Sequence, residues 1–281
     1  MLTATFTALA LVALQAQDTV VSVQRGDRLE AENHNGNISV RTWTRSAVML
    51  RTRDGGRSVG LEHDGGEVHV EIDWEHGGDQ GADYELTVPA WMPLELNSVN
   101  GSIGVTGTQA SVSAETVSGS ITLDGGNGTV DLTTVEGSVT VTGARARMHL
   151  ESVNADVTVR SSAGDVSAES VNGEISLSQV DSRNVHTETV NGDITFSGPI
   201  QNGGSYNFST HNGNVMVGVQ EGAGATISIS TFQGELSADF PITFRGSREK
   251  EFSFTLGNGG ASVNIESFQG NIRLVRPGAV R

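Results

Sequence analysis

The sequence predicts an all-β fold: a parallel β-solenoid made of two-strand coils of roughly 18–21 residues. Three observations predict it. A motif of the form Glu/Ser-Ser/Thr-Val-Asn-Gly-X-Ile/Val recurs along the chain, for example at 115–121 (ETVSGSI), 169–175 (ESVNGEI) and 188–194 (ETVNGDI). Its glycine falls at 101, 119, 137, 173, 192, 213, 234 and 270, with Ala155 filling one place in the series, so the steps are 18, 18, 18, 18, 19, 21, 21 and 36. The composition, with 36 glycines, 5% aromatics and no cysteine among 281 residues, suits short strands and tight turns better than a thick aromatic core.

Within a coil, positions are counted from the column glycine. Apolar residues recur at −2, +2 and +4, as in Val117, Ile121 and Leu123, which is the alternation of a strand with one buried face. A second short strand follows at +11 and +13, for example Val130 with Leu132, Met148 with Leu150, and Val166 with Ala168. Glycine-rich turns at Gly107, at 125–128 and at Gly143 separate the two. Equivalent strands then stack in parallel about 4.8 Å apart, and only stacking buries a coil's inner face. This reading makes Val99, Val117, Val135, Val153, Val171 and Val190 one continuous buried spine, and it buries His34 and His211 at the same phase. At −1, Asn35, Asn100, Asn154, Asn172, Asn191 and Asn212, with Gln233 and Gln269, form an amide ladder from coil to coil. Antiparallel hairpins closing into a sandwich or barrel are the competing arrangement. Identity at the same phase of every coil favours the solenoid.

The chain divides accordingly. Residues 1–16 read as a signal peptide, with an apolar run from Phe6 to Leu14 and a small residue, Ala16, before the cleavage point. Residues 17–45 hold an N-terminal strand and a first coil, in which Leu29, Ala31, Ile38 and Val40 keep the phase. Residues 46–93 interrupt the pattern with alternating segments (48–52, 67–72 and 84–88) between turn signals, an antiparallel β insert that caps the open end. It carries Trp74 and Trp91, with Trp43 at its edge. Residues 94–240 are the regular repeats, and 241–281 are degenerate coils and a C-terminal cap. Phe232, Phe240, Phe244, Phe252, Phe254 and Phe268 supply its aromatic bulk. No run after the leader is long enough to span a membrane as a helix.

Net charge is −16. Residues 97–240 hold 15 carboxylates against Arg145, Arg147, Arg160 and Arg183. Such a surface repels phosphate backbones and anionic lipid, which excludes nucleic-acid binding and anionic-membrane docking as readings. Two acidic columns stand out: Glu151, Glu169 and Glu188 at −4, and Asp156, Glu174 and Asp193 at +1. Their spacing is imposed by the repeat and carries no catalytic information. Clustered oxygen ligands suit Ca²⁺, but solubility is the simpler account of the charge. His63, His69 and His76 lie near Glu62, Asp64, Glu71, Asp73 and Glu75, at spacings that match no zinc signature. The residues supply no catalytic set and no cofactor site, so the chain reads as a non-enzyme without a cofactor.

The repeat ESVNGEISL/ETVNGDITF, with Tyr84-Glu85-Leu86-Thr87-Val88-Pro89 leading into 94–103, resembles a bacterial family of domains of unknown function (family 4097). Its members are called "putative adhesins" or β-strand repeat-containing proteins. The resemblance covers about 29–274 and implies an extracytoplasmic β-solenoid with no catalytic residue to carry over.

These readings converge on an exported protein of the periplasm, cell surface or secreted space. It would act as an adhesin or envelope scaffold, binding an envelope protein or polysaccharide along its lateral face. A polysaccharide-active β-helix enzyme and a purely structural spacer are the alternatives.

Overall fold

The computed structural model describes residues 19–53, 59–72, 82–220, 222–242, 246–248 and 251–276. The leader at 1–16, Trp74, His76 and Phe244 lie outside the described residues. Two long sheets, of 13 and 14 strands, enclose one continuous apolar core. Each regular coil gives one strand to each sheet, for example Val112–Ser118 to the larger and Ile121–Gly125 to the smaller.

The pairing is parallel and strictly in phase. Val112 lies beside Val130, then Met148, Val166 and Val185 in the larger sheet. Ile121 lies beside Val139, Val157, Ile175 and Ile194 in the smaller. The columns at −7, −5, +2 and +4 are therefore inward, as the repeat predicts, and their apolar side chains form the core. A fully buried aliphatic side chain contributes roughly 1.5–3 kcal/mol, and here each one lies in register with its counterparts in the neighbouring coils.

The column at −2 departs from the sequence reading. Val117, Val135, Val153, Val171 and Val190 keep 38–44% of their surface exposed, and Val99 is half-buried. His34 and His211 are exposed as well. The reason is geometric. One strand runs from −7 to −1, so its alternation puts −7, −5 and −3 inside and −6, −4 and −2 outside. The chain then turns a corner at the glycine, which resets the phase before +2. Reading −2, +2 and +4 as one strand carried the alternation through that corner.

The inward place goes instead to a hydroxyl residue at −3. Thr116, Thr134, Ser152, Ser170 and Thr189 are buried, and each donates to the carbonyl of the column residue one coil back (Gly101, Gly119, Gly137, Ala155 and Gly173) at 2.9–3.1 Å. The same corner explains the glycines. A Cβ on Gly137 would sit 2.0 Å from the Gly119 oxygen, and one on Gly119 would sit 2.2 Å from the Gly101 oxygen. The requirement is room for a neighbouring carbonyl. At Ala155 the corner is drawn differently, with its N–H donating to the Ser152 hydroxyl at 3.1 Å.

The stack does not follow chain order at its ends. The strand Ala261–Gln269 lies between Ser205–Asn212 and Ala225–Gln233, and Ile272–Val275 lies between Val215–Gly218 and Leu236–Ala238. The last coil is inserted beneath the one before it, so the 36-residue glycine step is a detour outward and back. A hairpin from Glu251–Leu256 covers Ala225–Gln233 antiparallel. The other end is similar: the first coil lies directly on 94–108, and the insert returns over it. Within that insert, Glu67–Ile72 and Asp83–Pro89 pair parallel with the first coil, while Val59–Asp64 and Ala47–Arg53 close over them antiparallel.

Candidate functional site

The outer face of the larger sheet collects the outward columns. In spatial order its −2 column runs His34, Val99, Val117, Val135, Val153, Val171, Val190, His211, Phe268 and Phe232, as fixed by the pairing of the flanking residues. Nine steps of about 4.8 Å make a continuous ridge about 43 Å long along its contour. It ends in rings: His211 stacks on Phe268 at 4.7 Å with 5° between planes, and Phe268 stacks on Phe232 at 4.9 Å with 4°. Phe232 and Phe268 are 50% and 42% exposed. The expected aromatic plug therefore divides. Phe254 is buried and Phe240 and Phe252 are partly buried, whereas these two rings face solvent.

On one side of the ridge lies the −4 column, with Glu115, Glu151, Glu169, Glu188 and Glu266. Its carboxylates are lightly held: Glu151 meets His149 at 2.8 Å and Glu188 meets His186 at 4.0 Å. On the other side lies the −1 amide ladder. Asn172 donates to Asn154, Asn191 to Asn172, and Asn212 to Asn191, at 2.8–3.0 Å. No lysine or arginine occupies the −6, −4, −2 or −1 position of any coil. Near the aromatic end, Val190, His211, Phe232, Phe268, Glu188 and Glu266 line a shallow, open trough of about 560 Å³.

The six carboxylates read as a cation strip fall on two separate surfaces. Glu151, Glu169 and Glu188 are on the sheet face, while Asp156, Glu174 and Asp193 are at the corner. The corner column has structural work. Asp156 accepts the Glu174 N–H at 2.8 Å, and Asp193 accepts the Asn214 N–H at 2.7 Å. Glu174 lies between the other two, and burial first, then the charges of Asp156 and Asp193, push its carboxyl above the usual range.

Among the described residues, one group of three ligand-type side chains converges elsewhere: Glu30, Glu67 and His69. His69 Nδ1 lies 3.1 Å from Glu30 and its Nε2 3.3 Å from Glu67, while Glu67 also meets Arg28. The arrangement is a surface network in which the Arg28–Glu67 ion pair adjoins an imidazole whose two nitrogens each face a carboxylate. His63 pairs instead with the buried Asp27 at 3.0 Å. Sequence spacing missed both contacts because Glu30 and His69 become neighbours only through parallel pairing of distant strands.

These features define a two-sheet parallel β-solenoid with a linear outward ridge. The chain belongs to the Toastrack DUF4097 family, whose sequence pattern matches residues 128–275. No curated protein sequence matches the chain. Among solved structures it is similar to a "putative adhesin" from Parabacteroides merdae, with 9% identity, TM-score 0.50, and 92% of this chain and 96% of that one covered. It is also similar to a "putative lipid binding protein" from Parabacteroides distasonis (11% identity, TM-score 0.49, 92% and 96% covered), and to a "putative adhesin" from Bacteroides fragilis (10% identity, TM-score 0.39, 93% and 98% covered). At 9% identity the first of these likenesses extends to the fold alone. Among the described residues no helix is long and apolar enough to cross a membrane.

Proposed function

We propose that the protein is an exported, non-enzymatic interaction module of the cell envelope, an adhesin or scaffold that engages a partner protein or polymer along the lateral face of its solenoid. The observation that carries this reading is the ridge: ten coils present the same outward position in one continuous column, five of them as exposed valines. Surface β-branched residues support a strand, yet threonine serves that purpose equally and fills other outward positions, such as Thr122 and Thr140. A row of exposed apolar side chains is a contact surface. Export rests on the leader pattern at 1–16.

The test is a glycan array together with a pull-down from envelope extract, using the chain from Gln17 onward. Saturable capture of a protein or glycan supports the reading, and two blank results at high micromolar protein remove it. Turnover of an acidic glycan, lost in Asp156→Asn or Glu174→Gln, would replace it with an enzyme.

A further inference from the structure

We infer that the ridge is a docking site for a cationic amphipathic helix of a partner protein, anchored at its aromatic end. The inference rests on the lateral-face reading and specifies its occupant. Charge decides the partner's sign. The ridge is bordered by Glu115, Glu151, Glu169, Glu188 and Glu266, and no lysine or arginine stands in the neighbouring outward columns of the coils; Arg248 lies two strands beyond the aromatic end. A second copy would bring like charges face to face, and an anionic polymer or membrane would be repelled.

Periodicity decides the partner's shape. An extended strand lying along the ridge would place same-side residues nearly 7 Å apart, out of step with a pitch of about 4.8 Å. A helix repeats every 5.4 Å, a mismatch of about 0.6 Å per turn, so about four turns stay within half a step of the valines. The apolar stripe of such a helix covers the ridge, and its lysine or arginine flank reaches the glutamate column. A neutral glycan is the poorer fit. Sugars pack on ring faces, and here the stack covers both faces of the central Phe268 and one face each of His211 and Phe232, at 5° and 4° between planes. The exposed parts of the rings line a trough shared with Val190, Glu188 and Glu266. That arrangement suits an inserted aliphatic or aromatic side chain with a cation next to it.

The probe is a 16-residue leucine/lysine peptide that forms an amphipathic helix, with a scrambled peptide of identical composition as control. Binding is read by fluorescence anisotropy at low and high salt. Expected are saturable binding of the helical peptide, at least about tenfold weaker binding of the scramble, and weakening at high salt. The double variant Val153→Asn, Val171→Asn and the single variant Phe268→Asn, all at exposed positions, should each lose about tenfold or more while keeping the parent's circular dichroism. Glu169→Gln with Glu188→Gln should flatten the salt dependence. Equal affinity for helix and scramble, or unchanged affinity in the valine and phenylalanine variants, would reduce the effect to bulk charge and overturn the inference, as would no binding at all. If the array or pull-down then yields a ligand that the ridge variants still bind, the lateral-face reading survives and only this occupant fails. If those assays are blank too, both fall.

Discussion

The hydroxyl of Thr134 donates to the carbonyl oxygen of Gly119, one coil away, at 2.9 Å. Both groups are inside the corner, and the same bond recurs from Thr116 to Gly101, from Ser152 to Gly137 and from Ser267 to Gly213. Replacing Thr134 with valine keeps the shape and removes the donor, leaving a carbonyl without that partner. The expected cost is about 1–2 kcal/mol, seen as a thermal midpoint lowered by several degrees. Ser98 is the internal control: its buried hydroxyl has no hydrogen-bond partner among the described residues. Ser98→Ala should leave the midpoint unchanged or raise it, and a loss equal to that of Thr134→Val would contradict the capping role.

Gly137 is constrained by space. An added methyl would lie 2.0 Å from the Gly119 oxygen, so Gly137→Ala must push two coils apart. A loss of about 2–3 kcal/mol is expected in chemical denaturation. Ala155→Gly, in the same column, should change stability by less than about 1 kcal/mol.

Glu174 predicts a pH effect. Its carboxyl titrates above the usual value because of burial, then Asp156 and Asp193. A raised carboxyl costs nothing below its unfolded pKa, and its full penalty is felt once pH exceeds the folded one. Stability should therefore fall as pH rises from about 4.5. Glu174→Gln should raise the midpoint at pH 7 by about 1–2 °C, a figure kept small because the site is largely solvated. At pH 4 the difference should vanish, and an equal gain at both pH values would contradict the charge explanation.

Tyr206 predicts the alkaline limb. Its hydroxyl is buried, donates to the Ser182 carbonyl at 2.7 Å and accepts the Gln201 N–H at 2.8 Å. Burial raises its pKa above 10. The stabilisation is complete below the ordinary tyrosine value and is lost as pH climbs through the folded one. Wild type should thus lose stability above pH 10 more steeply than Tyr206→Phe, a comparison made by thermal melts from pH 8 to 11.

The inward columns were legible in the sequence because Val130, Leu132, Val139 and Val141 have only one place to go in a two-sheet stack. The direction of Val135 was not. The residue is identical inside or out, and only knowing that the strand ends at −1 shows that Thr134 is inside. Coil order at the C-terminal end was equally hidden, since a glycine step of 36 fits two stacked coils or one detour. The site suffered from the same blind spot. The glutamates of its border are visible as a column, but the valines of the apolar ridge beside them share their residue type with the core. His69 and Glu30 share no sequence pattern at all, and only strand pairing joins them.

The central claim is that the −2 residues form one outward line in the order the pairing gives. The chain has no cysteine, so paired cysteines can be spin-labelled cleanly at these exposed positions. Distances from Val135 to Phe268 and from Val135 to Phe232 should be about 24 and 29 Å, five and six coil steps, with Phe268 the nearer. A stack in chain order would give about 34 and 24 Å, reversing the two, and that reversal would contradict the account.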